Sequence, residues 1–139
     1  MVDGAVPRFW REIPQRYNLN ANQCGVCNRF YFPPRESCPY CRRKSMGKMN
    51  EKKLSGKGTI LTYTIIHIEP DQFIGQVPYP MAIIKLDEGP KVTSQIVDCK
   101  LDDIKIGMRV QVTFRKIHED GYIGAIHYGY KFKPIEVNR

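Results

Sequence analysis

Two Cys-x-x-Cys pairs within eighteen residues, Cys24-Gly-Val-Cys27 and Cys38-Pro-Tyr-Cys41, constrain this chain more than any other feature. Two cysteines three positions apart can share one tight turn, and two such turns supply the four thiolates of a tetrahedral zinc site. A redox Cys-x-x-Cys needs only one pair, usually at a helix start in a βαβ setting, and no such setting is visible here. The expectation is therefore one structural zinc per chain, held by Cys24, Cys27, Cys38 and Cys41. Four protein ligands leave no open position, so the ion's role is folding rather than catalysis: so small a segment cannot bury enough apolar surface unaided. Asn28 follows the first knuckle and tolerates the left-handed conformation wanted there; Arg42, at the matching place in the second, suits it less. The fifth cysteine, Cys99, reads as a small buried residue.

At 139 residues, 42% hydrophobic and 26% charged, the chain is long enough for one modest domain or a small module attached to one. No stretch approaches the roughly 20 apolar residues of a membrane span. Polar residues interrupt the first fourteen positions, where a signal peptide would carry its apolar run. A cytoplasmic chain with reduced cysteines and no membrane partner is expected. The formal charge of +8 is uneven. Residues 1–58 hold twelve Lys/Arg against four Asp/Glu, whereas residues 59–139 hold ten of each sign.

The order of elements follows from periodicity and breakers. Residues 1–19 form an N-terminal helical segment: Pro7 suits a first turn, Phe9, Trp10, Ile13 and Tyr17 share one face, and Pro14 ends or kinks the helix. Residues 20–45 form the ribbon, with a short strand at Arg29–Phe32 between the knuckles. Residues 46–58 read as a basic, glycine-punctuated connector. From residue 59 to 139 the pattern is that of strands: Thr59–Ile68, Met81–Leu86, Val92–Val97, Arg109–Ile117 and Tyr122–Phe132. Asp87–Pro90 and His118–Gly121 make the hairpin turns, and Leu101–Gly107 a brief helical turn. The fold class expected is mainly β, a zinc ribbon followed by a separate five-stranded OB barrel. An open antiparallel sheet or an SH3-like barrel is the alternative on strand count alone.

Three functional classes compete. Nucleic-acid binding is known for both ribbons and OB barrels. Here the second and third barrel strands offer only Lys85 and Lys91, interrupted by Asp87 and Glu88. The loops carry Glu69, Asp71, Glu119 and Asp120, which repel phosphate. The run Arg42, Arg43, Lys44, Lys48, Lys52, Lys53 and Lys57 is the remaining basic feature, and a solvated face is its default use. Catalysis has less support, because His67, His118 and His127 belong to no nucleophile, metal or acid–base motif. A non-catalytic binding module fits best. Its docking candidates are Phe9 and Trp10, on a helix too short to bury them by itself, and Phe73 and Tyr79, in a loop of about a dozen residues.

The stretches Arg8–Arg11, Cys24–Cys27, Tyr31–Arg35, Cys38–Cys41, Ser55–Gly58, Leu86–Pro90, Ile106–Met108 and Tyr128–Phe132, in this order and spacing, resemble the archaeal and bacterial zinc-ribbon/OB-fold proteins associated with acyl-CoA metabolism. The resemblance implies a rubredoxin-like ribbon and a C-terminal OB barrel. It also implies a non-catalytic accessory role beside thiolase-fold enzymes, in archaea as the bridge between acetoacetyl-CoA thiolase and hydroxymethylglutaryl-CoA (HMG-CoA) synthase of the mevalonate pathway. Acyl-CoA is then a further candidate ligand, with no binding residues assigned.

Overall fold

Pro14 decides how the chain begins. It occupies the first turn of a second helix, where no N–H is needed, and so divides the N-terminal segment into α1 (Val6–Arg11) and α2 (Ile13–Asn18). Glu12 spans the break, accepting from Arg8 at 3.1 Å and from Arg16 at 2.9 Å. Leu19, buried and left-handed at φ 51°, turns the chain into the ribbon. The computed structural model describes residues 6–135. Residues 1–5 and 136–139, assigned above to the helical segment and the barrel end, lie outside the described residues.

The ribbon is a three-stranded antiparallel sheet ordered β2-β1-β3, with β1 at Asn20–Cys24, β2 at Phe30–Tyr31 and β3 at Met49–Lys53. Residues 49–53 are therefore not connector. They pair with the whole of β1, from Asn20↔Lys53 to Cys24↔Met49. Four of the five β3 side chains are exposed, so no alternation of apolar and polar residues marked this strand in the sequence.

Five further strands follow: β4 (Lys57–Ile66), β5 (Tyr79–Leu86), β6 (Lys91–Gln95), β7 (Arg109–Glu119) and β8 (Ile126–Pro134). They lie in the order β6-β5-β4-β7-β8. A parallel bridge from Ile96 to Phe132, with the Val97 amide donating to the Phe132 carbonyl at 2.8 Å, brings the two edges together. A 3-10 turn at Leu101–Asp103 joins β6 to β7, as expected of an OB fold. The last strand starts later than its composition suggested. Tyr122–Gly124 belong to the preceding loop, which turns at Gly121 (φ 72°) and closes through the Asp120 amide on the Ala125 carbonyl at 3.0 Å.

Ribbon and barrel are not separate in their packing. Leu19, Ala21 and Leu54 belong to the same buried cluster as Ile60, Ile84, Val110 and Phe132. Cys99 packs half-buried against that cluster. One core is shared by both modules, which lets a short ribbon hold a fixed orientation on the barrel. Among the described residues no helix is long and apolar enough to cross a membrane.

Candidate functional site

Cys24 ends β1, and the other three cysteines lie in turns that the backbone closes. The amide of Asn28 donates to the Cys24 carbonyl at 2.9 Å, and that of Arg42 to the Cys38 carbonyl at 2.8 Å. Asn28 (φ 58°) and Arg42 (φ 49°) both take the left-handed conformation that the knuckles were expected to require. Behind the second knuckle, fully buried Ser45 accepts from the Cys38 amide at 2.8 Å and donates to the Arg42 carbonyl at 2.6 Å. Cys27 Sγ and Cys38 Sγ are 3.5 Å apart, and all four sulfurs lie within 4.8 Å of one another. A tetrahedron of ~2.3 Å zinc–sulfur bonds has sulfur–sulfur edges of about 3.8 Å, so the cage has the right size.

Electrostatics make the same demand. Burial pushes the Cys38 thiol up, but hydrogen bonds from Tyr31 and the Cys41 and Tyr40 amides outweigh it and bring it to about 6. Burial and the neighbouring Cys27 and Cys24 push Cys41 up to about 12. Four thiolates this close cannot all ionise without a cation between them, and a divalent ion supplies that charge. Tyr31 sits 3.0 Å from Cys38 Sγ. Its hydroxyl, pushed up to about 12 by that contact and by burial, stays protonated and donates to the sulfur. The donor set fits one structural zinc.

A second feature lies where helices, ribbon and barrel meet. A cavity of about 680 Å³ is lined by Phe9 and Arg16 from the helices, Phe32 from the ribbon, and Phe73, Tyr79 and Tyr130 from the barrel. Arg16 sits over the Phe9 ring at 5.1 Å, and Phe73 and Tyr79 place their ring centroids 5.8 Å apart. Of the four docking candidates, Phe9, Phe73 and Tyr79 thus share this cleft. Tyr79 opens β5 and is 6% exposed, so it presents itself only through the cleft, whereas Trp10 stands outside it, 71% exposed. Lys131 lies on the wall, buried; burial, with Arg115 adding, pulls its ammonium below the ordinary range. The basic run from Arg42 to Lys57 is exposed throughout.

Sequence reasoning missed one cluster. His118, Asp120 and His127 converge at the edge of the cleft. Reading Tyr122 as the start of the last strand set the wrong hairpin register and left His127 far from His118. In the structure the two are cross-strand partners. Their pairing across a Gly-containing loop was the available signal.

Knuckles on a three-stranded sheet, sharing a core with a five-stranded barrel, define a rubredoxin-like zinc-ribbon/OB-fold protein with one structural zinc. Residues 11–47 match the family model described as the ChsH2 rubredoxin-like zinc ribbon domain, and residues 51–115 that of the ChsH2 C-terminal OB-fold domain. The chain is 54% identical over 134 residues to a DUF35 domain-containing scaffold protein of Methanocaldococcus jannaschii, covering 96% of this chain and 94% of that one. A protein of the same description from Methanothermobacter thermautotrophicus is 53% identical over 127 residues, covering 91% and 94%. Among solved structures, one described as an Ltp2-ChsH2(DUF35) aldolase is similar at TM-score 0.71 and 22% identity, covering 96% of each chain. The chain belongs to the family of DUF35-domain scaffold proteins.

Proposed function

We propose that this chain is a non-catalytic scaffold that holds thiolase-fold enzymes of acyl-CoA metabolism together, bridging acetoacetyl-CoA thiolase and HMG-CoA synthase. The observation that carries the reading is full-length similarity to proteins described as scaffolds. The zinc site supports it, because four thiolates leave no position for substrate. The surface supports it as well. Trp10, Ile68, Ile74, Tyr122 and Ile123 are large apolar side chains at least 71% exposed, and aromatic residues of this kind anchor interfaces. Acyl-CoA is a further ligand on this reading, its acyl–pantetheine arm suited to the aromatic cleft and its phosphates to Arg8 and Arg16 on the cleft wall.

The test is assembly. Purified thiolase and synthase are mixed with and without this chain and resolved by size-exclusion chromatography. Co-elution that requires the chain, with no acyl-transfer activity in the chain alone, is the expected result. Trp10→Ala should weaken assembly by about 30-fold, the size of an interface hot spot. Equal association and turnover of the two enzymes without this chain would remove the scaffold reading. Sequence-selective, salt-resistant binding of an oligonucleotide would point to the nucleic-acid alternative.

A further inference from the structure

Outside the ribbon, the β7–β8 hairpin gathers a second set of metal-ligating side chains. The ladder between these strands shifts register between Lys116 and His118, after which His118 stands opposite His127. Opposite residues share a face, and here the two imidazoles stack with centroids 4.4 Å apart and planes 23° from parallel. The loop then curls back on itself. Gly124 passes so close to the Asp120 carbonyl that a Cβ would lie 1.7 Å from its oxygen, so only glycine permits the path. The curl brings the Asp120 carboxylate onto the rings. Its Oδ2 lies 2.7 Å from His127 Nε2, and its Oδ1 3.7 Å from His118 Nε2.

Hydrogen bonding does not complete this cluster. Only the His127–Asp120 contact is within bonding distance. His118 Nδ1, His127 Nδ1 and Asp120 Oδ1 are buried without a partner among the described residues. Native interiors leave few such atoms, and here three fall on three touching side chains. Turning an imidazole over exchanges each ring nitrogen with a ring carbon without changing the ring's shape, so the packing admits either orientation of each ring. Among the described residues, none takes the free positions. Phe9 sets its edge against His127 at 4.4 Å, and Arg16 is engaged by Glu12.

We propose that His118, Asp120 and His127 form a second metal site, distinct from the ribbon, that takes a first-row divalent cation such as Zn²⁺ or Co²⁺ through one nitrogen of each imidazole and the Asp120 carboxylate. One ligand atom from each lies within 4.8 Å of the others, the span that a single ion closes by drawing them in. Imidazole with carboxylate is a borderline donor set suited to Zn²⁺, Co²⁺ or Ni²⁺, unlike the all-sulfur ribbon. Three protein ligands leave a coordination position, and both histidines border the 680 Å³ cleft. An oxygen donor held in the cleft completes the coordination. The site does not depend on the scaffold reading, because it uses only residues of this chain.

The test uses the full chain without a histidine tag, its ribbon already loaded with zinc. Equilibrium dialysis against Co²⁺ should give one cobalt per chain in addition to the ribbon zinc. Its visible spectrum should show nitrogen and oxygen ligation without the sulfur-to-cobalt charge-transfer bands of a thiolate site. In NMR spectra His118 and His127 should broaden while exposed His67 does not. Asp120→Asn keeps the shape and should weaken cobalt binding by about 10- to 100-fold; His118→Ala should do the same. Retained ribbon zinc and an unchanged circular dichroism spectrum establish that each variant is folded. Cobalt uptake that never exceeds the ribbon site, or a second ion unaffected by both variants, overturns the proposal.

Discussion

The amide of Val112 donates to the carbonyl of Gly56 across 2.7 Å, and a Cβ on Gly56 would stand 2.3 Å from Val112 Cγ1. Gly56 is left-handed at φ 74°, so both its conformation and its surroundings exclude a side chain. This contact is where the chain leaving the ribbon meets the barrel.

Gly56→Ala should therefore destabilise twice over, by about 1–2 kcal/mol for the left-handed backbone and about 1–3 kcal/mol for the clash. Gly75 is the control. It has φ 78° but no atom within 4 Å of its would-be Cβ, so Gly75→Ala should show the backbone cost alone. Chemical denaturation of the two variants measures both, and equal losses would remove the packing argument.

Tyr31→Phe removes the hydroxyl 3.0 Å from Cys38 Sγ while keeping the ring. Partners that orient and polarise a metal ligand are commonly worth 10- to 100-fold in affinity, and a loss of roughly tenfold is expected here. Competition with a chromophoric chelator reads it directly, with barrel signals in NMR unchanged.

Ser45→Ala leaves the Cys38 amide buried without its acceptor. An unpaired buried donor costs about 1–3 kcal/mol, and the loss should fall on the second knuckle. Amide exchange near Cys38 and Arg42 should accelerate more than exchange in β4 or β5.

Arg109 forks onto Asp87, with Nη1–Oδ1 at 2.6 Å and Nη2–Oδ2 at 2.8 Å. The Arg109 hydrogen bonds hold the Asp87 carboxyl below its ordinary value of 3.8. The sign follows: this stabilisation is fully present above pH about 4 and disappears as pH falls through the lower, folded value. Asp87→Asn should be less stable than wild type at pH 7, by a small margin because both partners are half-exposed. The difference should vanish in strong acid. Loss of zinc at low pH affects both proteins alike and cancels in the comparison.

The zinc site was legible because its information is local. Two four-residue turns bring their own ligands together, and Asn28 and Arg42 took the backbone conformation that their places after each knuckle require. The five barrel strands and the 3-10 turn after β6 were legible for a similar reason, since alternation of apolar residues records which face each strand buries. β3 was not: its exposed side chains carry no alternation, and only backbone pairing to β1 makes it a strand. The unity of ribbon and barrel was hidden too, because Leu19 and Leu54 reveal their shared core only once the chain has folded back. The meeting of His118 with His127 depends on a ladder shift and a glycine-built loop, and one residue of register decides whether two side chains touch or face apart. The sequence by itself determined the metal ligands and the kind of each domain. Tertiary structure alone decided the cleft that unites Phe9, Phe73 and Tyr79 and the histidine cluster at its edge, because both are assembled from segments whose proximity no local pattern encodes.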